Sequence, residues 1–186
     1  MKMHLAATVA VLGLALGLSA CETATPYQPL AKGGKVSGGF TDQKLDADHY
    51  RVTFEGNSLT SRATVESYLL YRAAELTVNQ GFDWFEAVDR HTDHTQSTYY
   101  DSFGPGYWRP YWRYYGAFGY GRGWRGWDPY WDSPFWGEGG QTETVEKFQT
   151  SAEIVVHHGP KPESDAKAFD AHQVIANLAP KIQRPS

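Results

Sequence analysis

The histidines and acids of "DRHTDH", residues 89–94, are the first place where side-chain type and spacing could do chemistry. His91 and His94 stand three apart with Asp89 and Asp93 nearby, and His157 and His158 close a later segment of alternating apolar residues. Imidazole with carboxylate suits zinc or copper. A centre built from His91, His94 and His157 needs the two segments that carry them to end side by side. Polar residues at a strand end facing water use the same residue types, and no HExxH helix accompanies the cluster. Catalysis has less material. There is no G-x-S-x-G elbow, and Asp83, Glu86 and Asp89 form no recognisable acid–base pair. The expectation is a protein that is not an enzyme and holds no cofactor, with zinc or copper at the histidines as the alternative.

A second set of residues suits contact. "YWRPYWRYYGAFGYGRGW", residues 107–124, has Tyr, Trp or Phe at 9 of its 18 positions and no Val, Ile, Leu or Met. The wider block 99–136 holds 17 of the 28 aromatics and six of the seven Trp. Cores are built mainly from aliphatics, so the block is expected outside the core, as a Trp/Tyr/Gly-rich insert over 99–139. Trp, Tyr and Arg are the anchors enriched at contact surfaces. Tyr107, Trp108, Trp112, Tyr115, Trp124, Trp127 and Trp131 are the candidate partner-binding residues. Arg109, Arg113, Arg122 and Arg125 can stack on neighbouring rings. Aromatic faces also stack on sugars, so a glycan or peptidoglycan strand competes with an envelope protein as the partner.

The beginning of the chain says where such a surface would be displayed. Lys2 precedes the apolar run Leu5–Leu18, and small residues lead to Cys21. That pattern is a secretory signal peptide over residues 1–20. Its apolar run is shorter than the roughly 20 residues of a membrane span. "LSAC", Leu18–Cys21, resembles the lipobox of bacterial lipoproteins. The resemblance implies that Cys21, the only cysteine, receives diacylglycerol and becomes the first residue of the mature protein. The lipid, palmitate included, then anchors it stably once two or more chains are attached. Glu22 stands where Asp in that family often retains a lipoprotein at the inner membrane, which implies the periplasmic side of the outer membrane. Loss of Lys2 leaves 16 Lys+Arg against 21 acids, a net charge near −5. Nucleic acid, which needs a basic face, is not an expected partner.

Elements must position these groups. Residues 21–36 read as a lipid-anchored flexible tether. An edge segment near Gly38–Thr41 comes next. In "HYRVTFEG", from His49, residues Tyr50, Val52 and Phe54 share one face, as in a half-buried strand. Thr60 or Ser61 can cap a helix over 62–80, with Val65, Tyr68, Leu69, Ala73 and Leu76 on its apolar stripe and Gly81 as its stop. "FDWFEAVDR" reads as a second strand, parallel to the first through a right-handed crossover. Residues 142–157 form a third, with Phe148, Ala152, Ile154 and Val156 on one face. Asp170 and Gln173 form a capping box before a last helix that ends at Pro180. The expectation is one α/β domain over 37–98 and 140–182. It would be a small two-layer sandwich, strand–helix–strand–strand–helix, with a mixed three- or four-stranded sheet.

"HYRVTFEGNSLTSRATVESYLLYRAAELTVNQGFDWF", residues 49–85, resembles the signature of a family of small proteobacterial lipoproteins of unknown function. "FDAHQVIANLAPKI", residues 169–182, is similar to that family's closing helix. The resemblance implies location and fold, and carries no catalytic residue. The function expected is a lipid-anchored cell-envelope protein with a binding or structural role.

Overall fold

The computed structural model describes residues 23–30, 36–88, 108, 110–118, 121–127 and 144–185. The alternation that begins at His49 produces a strand, β2 (His49–Glu55), whose Tyr50, Val52 and Phe54 are buried. Before it lies β1 (Gly39–Lys44), antiparallel to it. The helix α1 (Arg62–Asn79) follows. Ser61 caps it, its Oγ accepting from the Thr64 amide, which satisfies one of the orphan donors of the first turn. All five stripe residues, Val65, Tyr68, Leu69, Ala73 and Leu76, are buried. Gly81 ends the helix at φ +86°, a conformation that costs a side-chain-bearing residue much more. Then come β3 (Trp84–Val88), β4 (Tyr111–Phe118), β5 (Gly121–Trp127), β6 (Thr144–His157) and β7 (Ala168–Asp170). The last helix, α2 (Ala171–Leu178), is capped by Asp170, whose carboxylate accepts from the Gln173 amide.

The class is α/β, an open sheet with two helices, as in a small two-layer sandwich. The sheet is larger than the sequence suggested, and not mixed. Seven strands are described, every ladder is antiparallel, and the main order is β1-β2-β6-β3-β7. β2 and β3 do run in the same direction, but β6 lies between them and is antiparallel to both. Periodicity fixes which face of a strand is buried. It does not fix which strand lies beside it, and that is why the sheet type was missed.

One edge of β6 carries two strands in succession. β3 occupies its C-terminal half, down to Val88 opposite Glu153. β4 occupies the N-terminal half, beginning with Tyr111 opposite Ser151. β3 and β4 thus lie in line along this edge of β6, in the same direction and two β6 positions apart. β5 then closes a hairpin with β4.

The aromatic segment is therefore partly core, contrary to the sequence expectation. Trp112 is 0% exposed, and Trp108 and Tyr114 are buried as well. Trp112 pairs across the ladder with Thr150, which itself faces Phe54, so its indole joins the face that α1 covers. It packs edge-on to Phe148 at 6.2 Å, with the Arg62 guanidinium 5.2 Å over its ring. Trp108 lies edge-on to Phe85 and Phe169, which stack at 5.3 Å. The hairpin replaces aliphatic volume with aromatic area, which is equally apolar.

The expected tether is also docked where it is described. Thr25 and Tyr27 are buried. Thr25 Oγ1 donates to the Ser37 carbonyl and accepts from the Asn57 amide, while the Asn57 side chain donates to the Thr23 carbonyl. A Cβ at Gly38 would lie 2.3 Å from the Glu55 carbonyl oxygen, so only glycine permits this close approach. Tyr27 packs against Phe40, Tyr68 and Tyr71, and its hydroxyl donates to Glu75. Arg72 bridges Glu75 to Asp42, and the Tyr27 amide donates to the Gln183 carbonyl, so both ends of the domain meet on α1.

Candidate functional site

α1 and α2 lie on one face of the sheet, so the candidate site is built on the other. In β4, strict alternation sends Trp112 and Tyr114 into the core and Tyr111, Arg113 and Tyr115 to the other face, which is helix-free among the described residues. Cross-strand pairing sets each of these three beside a partner. Tyr111 faces Ser151, which faces Thr53; Arg113 faces Gln149 on one side and Gly126 on the other; Tyr115 faces Lys147 and Trp124. These rows frame an open cleft of about 470 Å³, lined by Thr53, Tyr111, Arg113, Trp124, Gly126, Gln149 and Ser151. Gly126 makes room for it: a Cβ there would stand 2.6 Å from the Tyr111 hydroxyl.

The charges of this face are mostly matched. Arg51 pairs with Glu153 at 2.5 Å, Lys147 with Glu55 at 2.6 Å and Arg122 with Glu146 at 2.7 Å. Arg113 differs. It donates one hydrogen bond, to the neutral Oε1 of Gln149 at 3.3 Å, and pairs with no carboxylate among the described residues. Its guanidinium lies 5.3 Å over the Trp124 ring, the stacking expected for that arginine. Lys147 lies 4.9 Å over the same ring, and Tyr115 meets it edge-on.

The sequence-predicted residues divide accordingly. Tyr115 and Trp124 sit together on the helix-free face. Trp108 and Trp112 are in the core and are not available for contact, because their face of the sheet is the covered one. Trp127 lies in β5 opposite Trp112. Tyr107, Trp131 and Cys21 lie outside the described residues. Tyr111, Gln149, Ser151 and Thr53 were not singled out from sequence. The signal for Tyr111 was the period of two in "YWRYY", which splits the aromatics between faces. The other three become neighbours only through strand pairing.

Of the histidines proposed as a metal centre, only His157 lies among the described residues. His91 and His94 lie outside the described residues. His157 is stacked on Trp84 at 4.1 Å, its cross-strand partner at the beginning of β3. His158 stacks on Phe82 at 4.4 Å. No group of three or more His, Cys, Asp or Glu able to hold a metal occurs among the described residues.

The remaining polar cluster is the Tyr27–Glu75–Arg72 latch. Burial pushes the Tyr27 hydroxyl well above its ordinary range, reinforced by its bond to Glu75. Burial would raise Glu75, but the bonds from Tyr27 and Arg72 outweigh it and hold its carboxyl below the usual range. Every group in this cluster is used by another, which is what a structural clasp requires. Among the described residues no helix is long and apolar enough to cross a membrane. No family model, curated protein or solved structure matches the chain.

Proposed function

We propose that this is a lipid-anchored envelope protein whose helix-free sheet face, centred on the aromatic hairpin, binds a partner on the periplasmic side of the outer membrane. Anchoring rests on the lipobox ending at Cys21. The observation that carries the contact role is the split of the hairpin. Trp112 fastens it into the core while Tyr111, Arg113, Tyr115 and Trp124 stay on the face that neither helix covers. A rigid strand pair presenting Tyr, Trp and Arg is the kind of surface in which contact energy concentrates. The described side chains of this face, Tyr, Trp, Arg, Gln, Ser and Thr, are those of a binding surface, and binding is the reading they support.

Two measurements test the two halves. Cys21→Ser is expected to abolish lipid labelling and release the protein from the membrane fraction; retention without label would refute the anchor. A photo-reactive benzophenone residue at position 115 is expected to capture an envelope component in intact cells. The same residue at the exposed His172 on α2 is the control. Equal capture from both positions, or none from 115, would refute the contact face.

A further inference from the structure

We infer that the cleft over β2, β6, β4 and β5 takes a sugar that carries a carboxylate. This rests on the reading of the helix-free face as a contact surface and names what it holds. Three observations lead there. The first is the unmatched cation. Arg51, Lys147 and Arg122 on the same face each have a carboxylate partner, while among the described residues Arg113, which lines the cleft, meets only an amide oxygen. A guanidinium has five N–H donors in a fork that fits a carboxylate bidentately, and a single donor is spent on Gln149. The stack on Trp124 holds the guanidinium plane in place without using the remaining donors.

The second observation is the lining. Besides Arg113, the cleft is walled by the hydroxyls of Thr53, Tyr111 and Ser151, an amide and an indole, with no acidic side chain. Hydroxyls and an amide exchange hydrogen bonds with sugar hydroxyls, and the ring edges supply apolar area for the pyranose carbons. An acid-free lining around one cation favours an anion over a neutral sugar. The third is the space. A volume of about 470 Å³ is within the roughly 300–1,000 Å³ of small-ligand clefts. It is open above, as a polymer passing over the sheet would need, and Gly126 keeps the Tyr111 hydroxyl at its rim.

Carboxylated sugars have two sources in an envelope, the lactyl ether of a muramic acid and the ring carboxylate of a uronic acid. The test uses full-length protein in detergent and follows the ¹H–¹⁵N signals of the indole groups. The Trp124 signal is assigned by its absence in Trp124→Phe. Three probes are titrated to 20 mM: N-acetylglucosaminyl-N-acetylmuramic acid, the neutral di-N-acetylchitobiose, and a uronic acid tetramer. Saturable shifts of the Trp124 signal with either acidic probe, and binding of the neutral probe at least about 10-fold weaker, support the assignment. The acidic probe that binds more tightly identifies the source. Arg113→Gln is expected to weaken the acidic probe roughly 10- to 100-fold, the usual weight of a charge-assisted pair, and to leave the neutral probe unchanged. Gly126→Val, which displaces the Tyr111 hydroxyl, is expected to lose binding while Arg113 remains; it guards against a fold defect in the first variant. Equal binding of neutral and acidic probes, or no shift with any, overturns the sugar assignment. If capture from position 115 then still yields a protein, the contact face stands and its occupant is a polypeptide. If it yields nothing, the face itself is refuted.

Discussion

Trp112 and Trp124 belong to one hairpin but should differ widely in what their truncation costs. Trp112 is 0% exposed and sits between Phe148, Thr150 and the first turn of α1. Trp112→Ala removes an entire buried indole and leaves a cavity that the surrounding sheet can only partly close. Such truncations cost about 3–5 kcal/mol, a large share of the roughly 5–15 kcal/mol that hold a domain together. At about 2–4 °C per kcal/mol for a chain of this size, the melting point should fall by roughly 6–20 °C. Trp124→Ala removes a half-buried ring on the open face. It loses an edge contact to Tyr115 and the cation contacts of Arg113 and Lys147, each worth about 1 kcal/mol or less at such sites. The expected fall is a few degrees. Thermal unfolding followed by far-ultraviolet circular dichroism gives both numbers. Equal losses in the two variants, or a silent Trp112→Ala, would refute the placement of the hairpin. The same reasoning makes deletion of residues 99–138 a poor probe of binding, because it removes core side chains and two strands along with the proposed contact face.

Three further expectations concern the clasp. Tyr27→Ala should cost about 3–5 kcal/mol in chemical denaturation, as for a core aromatic, because Tyr27 is 2% exposed, whereas Tyr27→Phe should cost roughly 1–3 kcal/mol, since Arg72 still holds Glu75. A tether-like residue would show neither loss. Because the Glu75 carboxyl is held below its ordinary range in the folded protein, the stability it contributes is present above the unfolded value of about 4.3 and is lost as pH falls through the folded one. Glu75→Gln should therefore flatten the stability profile below about pH 4.3, and an unchanged acid limb in urea melts would remove Glu75 from the account. A variant that begins at residue 31 should be proteolysed faster than one that begins at residue 22, because Thr25 and Tyr27 fill buried positions; equal rates would mean that the segment is dispensable.

Much of this protein was written locally. The strand from His49, the helix from Arg62 to its glycine stop, and the Asp170 cap follow from period, capping chemistry and backbone preference, which act over a few residues. The resemblance of Leu18–Cys21 to a lipobox likewise rests on adjacent residues. What the sequence left open were choices between distant segments of similar chemistry. Nothing near Tyr50 says that β6 rather than β3 lies beside β2, because both offer an apolar face of the same period. Nothing near Trp112 says that it is covered and Trp124 is not. That was decided by which face of the sheet α1 and α2 took, and a strand's alternation is symmetric until a second layer breaks it. Tyr27 became core because the C-terminal residues and α1 close over it. The cleft has the same origin: Thr53, Arg113 and Ser151 are neighbours only because β6 holds β2 on one edge and β4 on the other, so pairing across about 40 to 100 residues of chain created a cleft that no local segment contains.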